Sequence, residues 1–177
     1  MTSTEPRAAT PRNTEPALRI LQVNSMLKGG GTDDRSVRIA DALGRLGHQV
    51  WLAGPAGREF STVAQQLGIA FEPTPLGPLK LPMILHLARF VRRERIQVLH
   101  ARHGRDYWPA VLAGRLSWAR PRIVLSRHLA KSPGSWVSRS FLLSQCDAMA
   151  AVSHFVAKVL REGHADPDSD NPERHWR

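Results

Sequence analysis

Apolar and polar positions divide the chain into short blocks whose period switches repeatedly. Leu18-Arg-Ile-Leu-Gln-Val is an apolar run of strand length, followed by a loop that carries Gly29-Gly30-Gly31. After the glycines the spacing becomes helical: Val37, Ala40, Leu43 and Leu46 fall three apart, with Ile39 and Ala42 widening the stripe. Thr32 or Asp33 is expected to cap the first turn, and Gly47 to end the helix in a left-handed conformation. Strand, glycine loop and helix make the opening unit of a parallel sheet. Its backbone N–H groups and the positive end of a helix dipole face whatever binds there.

The alternation continues. His48–Ala53 reads as a second strand closed by Gly54-Pro55, Phe60–Leu67 as a short helix ending at Gly68, and Ile69–Glu72 as a third strand. Four prolines make Pro73–Pro82 a loop. Ile84, Leu85, Leu87, Ala88 and Val91 then outline an amphipathic helix whose other face carries Arg89, Arg92, Arg93 and Arg95. Ile96–Ala101 is a fourth strand. Asp106 is expected to cap a helix with Pro109 in its first turn, and Arg122–Ser126 is a fifth strand. Lys131–Ser144 mixes Trp136 and Phe141 with Lys131 and Arg139, and Ala148–Val152 is a sixth strand. Ser153 is expected to cap a last helix carrying Val156, Val159 and Leu160 and ended by Gly163.

This order gives the fold class α/β: a Rossmann-like parallel sheet with helices on both faces, joined by right-handed crossovers. Residues 1–16, rich in Thr, Pro, Ala and Glu, read as a disordered tail, 17–163 as one domain, and 164–177 as a polar tail. No internal repeat is visible.

Composition narrows the partners. The 177 residues are 42% apolar and carry a formal net charge of +10, which suits an anionic partner: nucleotide, nucleic acid or membrane surface. Arginine outnumbers lysine 21 to 4 and is spread along the chain, so a compositional bias accounts for the excess equally well. Cys146 is the sole cysteine, which rules out an internal disulfide and fits a reducing compartment. Met1–Pro16 lacks the apolar core of a secretion signal, and no apolar run reaches membrane-span length. The expected location is cytoplasmic, with peripheral contact at the inner face of the membrane left open.

In a parallel sheet, ligands sit beyond the carboxyl ends of the strands. That rule gathers Gly29–Thr32, His100–Arg105 and Ser126–His128 at one edge although they lie far apart in sequence. The glycine loop has neither GxGxxG spacing nor a following GK[ST], so it is no dinucleotide fingerprint and no P-loop. Asp33 and Asp34 suit the helix dipole but repel a phosphate unless Lys28, Arg35 or Arg38 offsets them. Arg102 and Arg105 can meet an anionic acceptor or phosphates, whereas strand alternation also allows His100 to point into the core. His100 and His103 lack a third ligand, so no metal site is expected. No G-x-S-x-G occurs, which leaves Ser153 a helix cap rather than a nucleophile.

LRILQVNSMLKGGGTDDRSVRIADALGRLGHQVWLAGP resembles the opening of a family-four glycosyltransferase of the GT-B class. QVLHARHGRDYWPAVLAGRL, RIVLSRHLAKS and DAMAAVSHFVAKVLREG are similar to later units of that family's N-terminal domain, in the same order. The resemblance covers roughly Leu18–Gly163. It implies the acceptor-side half of a retaining sugar transferase, with a nucleotide-diphosphate sugar as donor and no permanently bound cofactor. Gly29, Gly30, Gly31 and Thr32 would approach the donor diphosphate. His128 matches a histidine near sugar and acceptor, where a donated hydrogen bond stabilises developing charge; Arg127 beside it is an acceptor contact or a salt-bridge residue. His100 matches a recurrent family histidine. The implied acceptor is a cell-envelope glycan, lipopolysaccharide or glycolipid, and the implied partner a C-terminal donor-binding domain in cis or trans.

Arg89, Arg92, Arg93 and Arg95 with Lys131, Trp136 and Arg139 form either a solvated face or a basic, aromatic surface against anionic lipid. A non-catalytic ligand-binding or partner-dependent half domain is the alternative to an enzyme. Nucleic acid is not expected as a partner, because aromatics do not interleave with the arginines as stacking platforms.

Overall fold

The computed structural model describes residues 16–75, 77, 79–127 and 143–162. Six strands, β1 (Arg19–Val23), β2 (Gln49–Gly54), β3 (Ala70–Pro73), β4 (Val98–Ala101), β5 (Arg122–Arg127) and β6 (Ala148–Ala151), form one sheet in the order β3-β2-β1-β4-β5-β6. Every pair is parallel. Among the described residues five helices connect or follow them: α1 (Gly31–Arg45), α2 (Glu59–Gln66), α3 (Leu81–Arg93), α4 (Tyr107–Leu116) and α5 (His154–Glu162). This is the Rossmann-like doubly wound order expected from the alternation of strands and helices.

Strand alternation divides the sheet into two unlike faces. Leu21, Leu99 and Ile123 are register neighbours, as are Val23, Ala101 and Leu125. All six are buried in one cluster with Leu87 and Val91 of α3 and Ala110 and Val111 of α4. Each fully buried leucine there contributes about 1.5–3 kcal/mol of transfer free energy. On the other face, α1 and α2 close over a smaller cluster of Leu27, Val37, Leu52 and Ala64. Helices therefore cover both faces.

The buried stripe of α1 is Asp33, Ser36, Val37 and Ala40, so of the apolar set read from spacing by threes Val37 and Ala40 are buried, while Leu43 is half-buried and Leu46 is not covered. At about 100° per residue, nine residues turn Leu46 half a revolution from Val37, and Leu46 is exposed. Gly47, at φ 91°, ends α1 as expected, with Gly47 N–H donating to Gly44 O and His48 N–H to Leu43 O. Gly68 closes α2 the same way.

Two caps differ from expectation. Helix α1 begins at Gly31 with Gly30 in the capping place and no side-chain cap, so Thr32 and Asp33 lie inside the first turn. Two glycines at φ 135° and 107° allow the chain to enter the helix earlier than a side-chain cap would. Asp106 closes a 3-10 turn before α4 without capping it, because its carboxylate accepts from Ser25 N–H instead (3.0 Å). Ser153 does cap α5, its Oγ accepting from Val156 N–H at 3.2 Å. Among the described residues no helix is long and apolar enough to cross a membrane.

Candidate functional site

Strand order reverses direction between β1 and β4, so the loops after these two strands diverge and leave a crevice at the carboxyl edge. Arg102 N–H donates to Val23 O (3.0 Å), which holds the strands together up to that point. Beyond it lie the glycine loop on one side and Arg102–Arg105 on the other.

Asp33 organises the crevice. Only 2% of it is exposed, and its carboxylate accepts from Asn24 Nδ2 at 2.9 Å and from Gly29 N–H at 3.2 Å. His103 Nε2 lies 3.1 Å from the same carboxylate. Burial pushes the Asp33 carboxyl up, but the hydrogen bonds from Asn24, His103 and Gly29 outweigh it and hold the carboxyl below its ordinary range. The glycine loop is thus not a row of bare donors: the Gly29 N–H is taken by the chain's own acid. Gly31 and Thr32 remain first-turn positions whose N–H groups have no intrahelical acceptor. Asp34 is offset by Arg38, four residues on, at 2.7 Å.

The loop is fixed at its start by Leu27, wholly buried at φ 46°, whose carbonyl accepts from Phe60 N–H at 3.2 Å. Gly54 at the end of β2 makes room for this. A Cβ there would stand 2.4 Å from Asn24 O and 2.6 Å from Leu27 Cδ1.

The basic residues after β4 have different surroundings. His100 shares a sheet face and register with Gln22, and its Nε2 lies 2.8 Å from Ser126 Oγ on β5. It is half-buried on the sheet rather than in the crevice. Arg102 is 2% exposed and donates from Nη1 to Ser126 Oγ at 3.3 Å, while its Nε and Nη2 find no partner among the described residues. Burial, and then the charge of Arg35, pulls its pKa down. Arg105 is exposed and reaches Met26 Sδ at 3.0 Å. Arg127 ends β5 beside Gly104, where an added Cβ would lie 3.6 Å from its Nη1, and it also interacts with Tyr107. The Tyr107 hydroxyl donates to Ser126 O.

The structure therefore brings Gly29–Thr32, Arg102, His103 and Arg105 to one edge, with Arg127 next to them. His128, Lys131, Trp136 and Arg139 lie outside the described residues. Sequence reasoning missed Asn24 and Ser25, although two polar residues directly after an apolar strand mark the carboxyl edge. It also treated Asp33 as a cap rather than a buried hub. Among the described residues no three His, Cys, Asp or Glu side chains converge as metal ligands would.

The model of Glycosyltransferase Family 4 matches residues 29–169. No curated protein matches the chain. A glycosyltransferase from Rickettsia africae ESF-5 is similar in structure, with TM-score 0.68 and 20% identity over 81% of this chain and 39% of that one. Anabaena Alr3699/HepE, in complex with UDP and glucose, gives TM-score 0.66 and 18% identity over 84% of this chain and 42% of its own. Acinetobacter baumannii MurG gives 0.59 and 13% over 77% and 41%. The chain spans about two fifths of the length of these structures.

Proposed function

We propose, for a chain that belongs to glycosyltransferase family 4, the role of acceptor-side half of a retaining sugar transferase. The observation that carries this reading is the crevice where strand order reverses, with a helix N-terminus and glycine loop on one wall and a basic loop on the other. The donor is a nucleotide-diphosphate sugar, a substrate rather than a resident cofactor. As the bond from the anomeric carbon to the diphosphate oxygen breaks and the acceptor hydroxyl oxygen takes its place, negative charge collects on the departing diphosphate, which takes up the proton that the acceptor hydroxyl loses. The positive end of α1 and the N–H groups of Gly31 and Thr32 stabilise that charge, and Arg105 at the rim adds to it.

In this reading His128, outside the described residues, donates a hydrogen bond near the sugar and the acceptor. The main hold on the nucleotide comes from a second, donor-binding domain in cis or trans. The acceptor is a cell-envelope glycan, lipopolysaccharide or glycolipid, with the arginine-rich face of α3 turned to an anionic membrane. The test is to express the chain with the reading frame that follows codon 177 and to assay transfer from UDP-sugars. Turnover by the two together, and none by the 177-residue chain, is expected. Nucleotide binding without turnover at any acceptor overturns the enzyme and leaves a ligand-binding half domain.

A further inference from the structure

We infer that the turns ending α3 and α4 form a docking surface for an anionic lipid bilayer, with the Trp118 indole entering the interface and Arg95, Arg115 and Arg120 meeting the headgroups. That an acceptor waits at that bilayer rests on the transferase reading above; the surface itself does not.

The four helices that lead into strands end in two ways. Helices α1 and α2 stop at Gly47 and Gly68, both at positive φ, where glycine carries no Cβ penalty. Helix α3 closes with the same pair of bonds, Arg95 N–H donating to Arg92 O and Ile96 N–H to Val91 O, but its left-handed residue is Arg95 at φ 48°. After α4 the left-handed residues are Trp118 at φ 61° and Arg120 at φ 48°. Glycine is less strained at all three positions. The fold does not ask for an arginine or a tryptophan there, so the strain points to a use outside the fold.

The side chains are displayed rather than packed. Trp118 is 82% exposed, more than any other large apolar side chain among the described residues, and Leu116 beside it is 49% exposed. Arg95 and Arg120 line one recess, and Arg115, Arg120 and Arg122 line the next, so both turns share one cationic rim. The exposed Arg89 and Arg92 of α3 extend it. Nearby acids are already engaged: Glu94 with Arg19 and Arg93, Asp147 with Arg122. Neither Arg95 nor Arg120 forms an ion pair with a described carboxylate.

An indole has an apolar body and a polar N–H, which suits the boundary between acyl chains and headgroups. Arginines around it are drawn to anionic lipid. A protein partner would instead need a broad apolar core, which one tryptophan and one leucine on a turn do not supply. Both turns lie at the amino ends of β4 and β5, about 20 Å from the crevice at the other ends of the strands. The surface therefore recruits the chain and is no part of the substrate pocket.

The experiment sediments the 177-residue chain with vesicles of phosphatidylcholine alone and of phosphatidylcholine mixed with phosphatidylglycerol. Binding to the anionic vesicles only, weakening as salt rises, is expected. Trp118→Gly, Arg95→Gly and Arg120→Gly each relieve a positive φ, so the melting temperature should hold or rise. Binding should nevertheless fall, about tenfold for the tryptophan and about fivefold for each arginine. Arg38→Ala with Arg45→Ala removes two cations from α1, on the other face of the sheet, and should leave binding unchanged. No preference for anionic vesicles, equal loss in the Arg38/Arg45 variant, or full binding by Trp118→Gly overturns the surface. Self-association that Trp118→Gly abolishes, without vesicle binding, makes the turn a protein interface and also overturns it. Transfer to a soluble acceptor without vesicle binding overturns the surface alone; vesicle binding by a chain that never transfers sugar overturns the transferase reading alone.

Discussion

His103 Nε2 stands 3.1 Å from Asp33 Oδ1, so one contact ties the loop after β4 to the first turn of α1 across the point where strand order reverses. With Asn24 Nδ2 and Gly29 N–H on the same carboxylate, Asp33 fastens three segments together. Asp33→Asn should cost about 1–3 kcal/mol at pH 7, read from the urea midpoint. Because the folded carboxyl lies below its ordinary value of 3.8, its contribution is complete above that pH and lost as pH falls through the folded value. The gap between wild type and Asp33→Asn should therefore hold to pH 3.8 and close only below it.

Asp106 carries the opposite sign. Burial raises its carboxyl above 3.8, and the hydrogen bonds from Ser25 offset this only in part. The folded protein thus holds that proton more tightly than the unfolded one, and stability declines as pH rises through the raised value. Asp106→Asn should remove that decline, so the variant gains on wild type as pH rises above 3.8. Urea titrations over that range with no relative gain would show that the acid is solvated.

Arg102 offers a separation of stability from function. Replacing a buried, half-satisfied cation with an apolar side chain of similar length is often neutral or stabilising, by about 1–4 kcal/mol for whole buried pairs. In the transferase reading proposed above, Arg102→Met should keep or raise the melting temperature while lowering transfer when the chain is expressed with the frame that follows it. Equal loss of both would make Arg102 a structural residue.

Gly54→Ala should destabilise strongly, by about 3 kcal/mol, since the new Cβ meets the Asn24 carbonyl, a backbone atom held in place. Gly57→Ala, at φ 70° with open space around it, should cost only about 1 kcal/mol. Denaturation curves for the pair compare a close approach with a backbone preference.

Strands and helices were legible because their apolar runs change period at glycines and prolines, and boundaries fell within about two residues. The inner face of α1 was not. Its buried positions include Asp33 and Ser36, and a polar residue whose partners are distant in sequence gives no hydrophobic signal. The unlike faces of the sheet were hidden for the same reason: His100 and Ser126 bond across strands twenty-six residues apart. The edge where the basic loops gather followed from topology alone. Which of them face each other depended on Asp33, which local rules assign to a cap.

Leu27 at one end and Asp33 at the other turn the glycine segment into an arch with both feet planted. Its crown, Lys28 to Gly30, is exposed, yet neither foot can walk without dragging a core leucine or a buried acid along. Whatever approaches that edge meets a span that the core has already set.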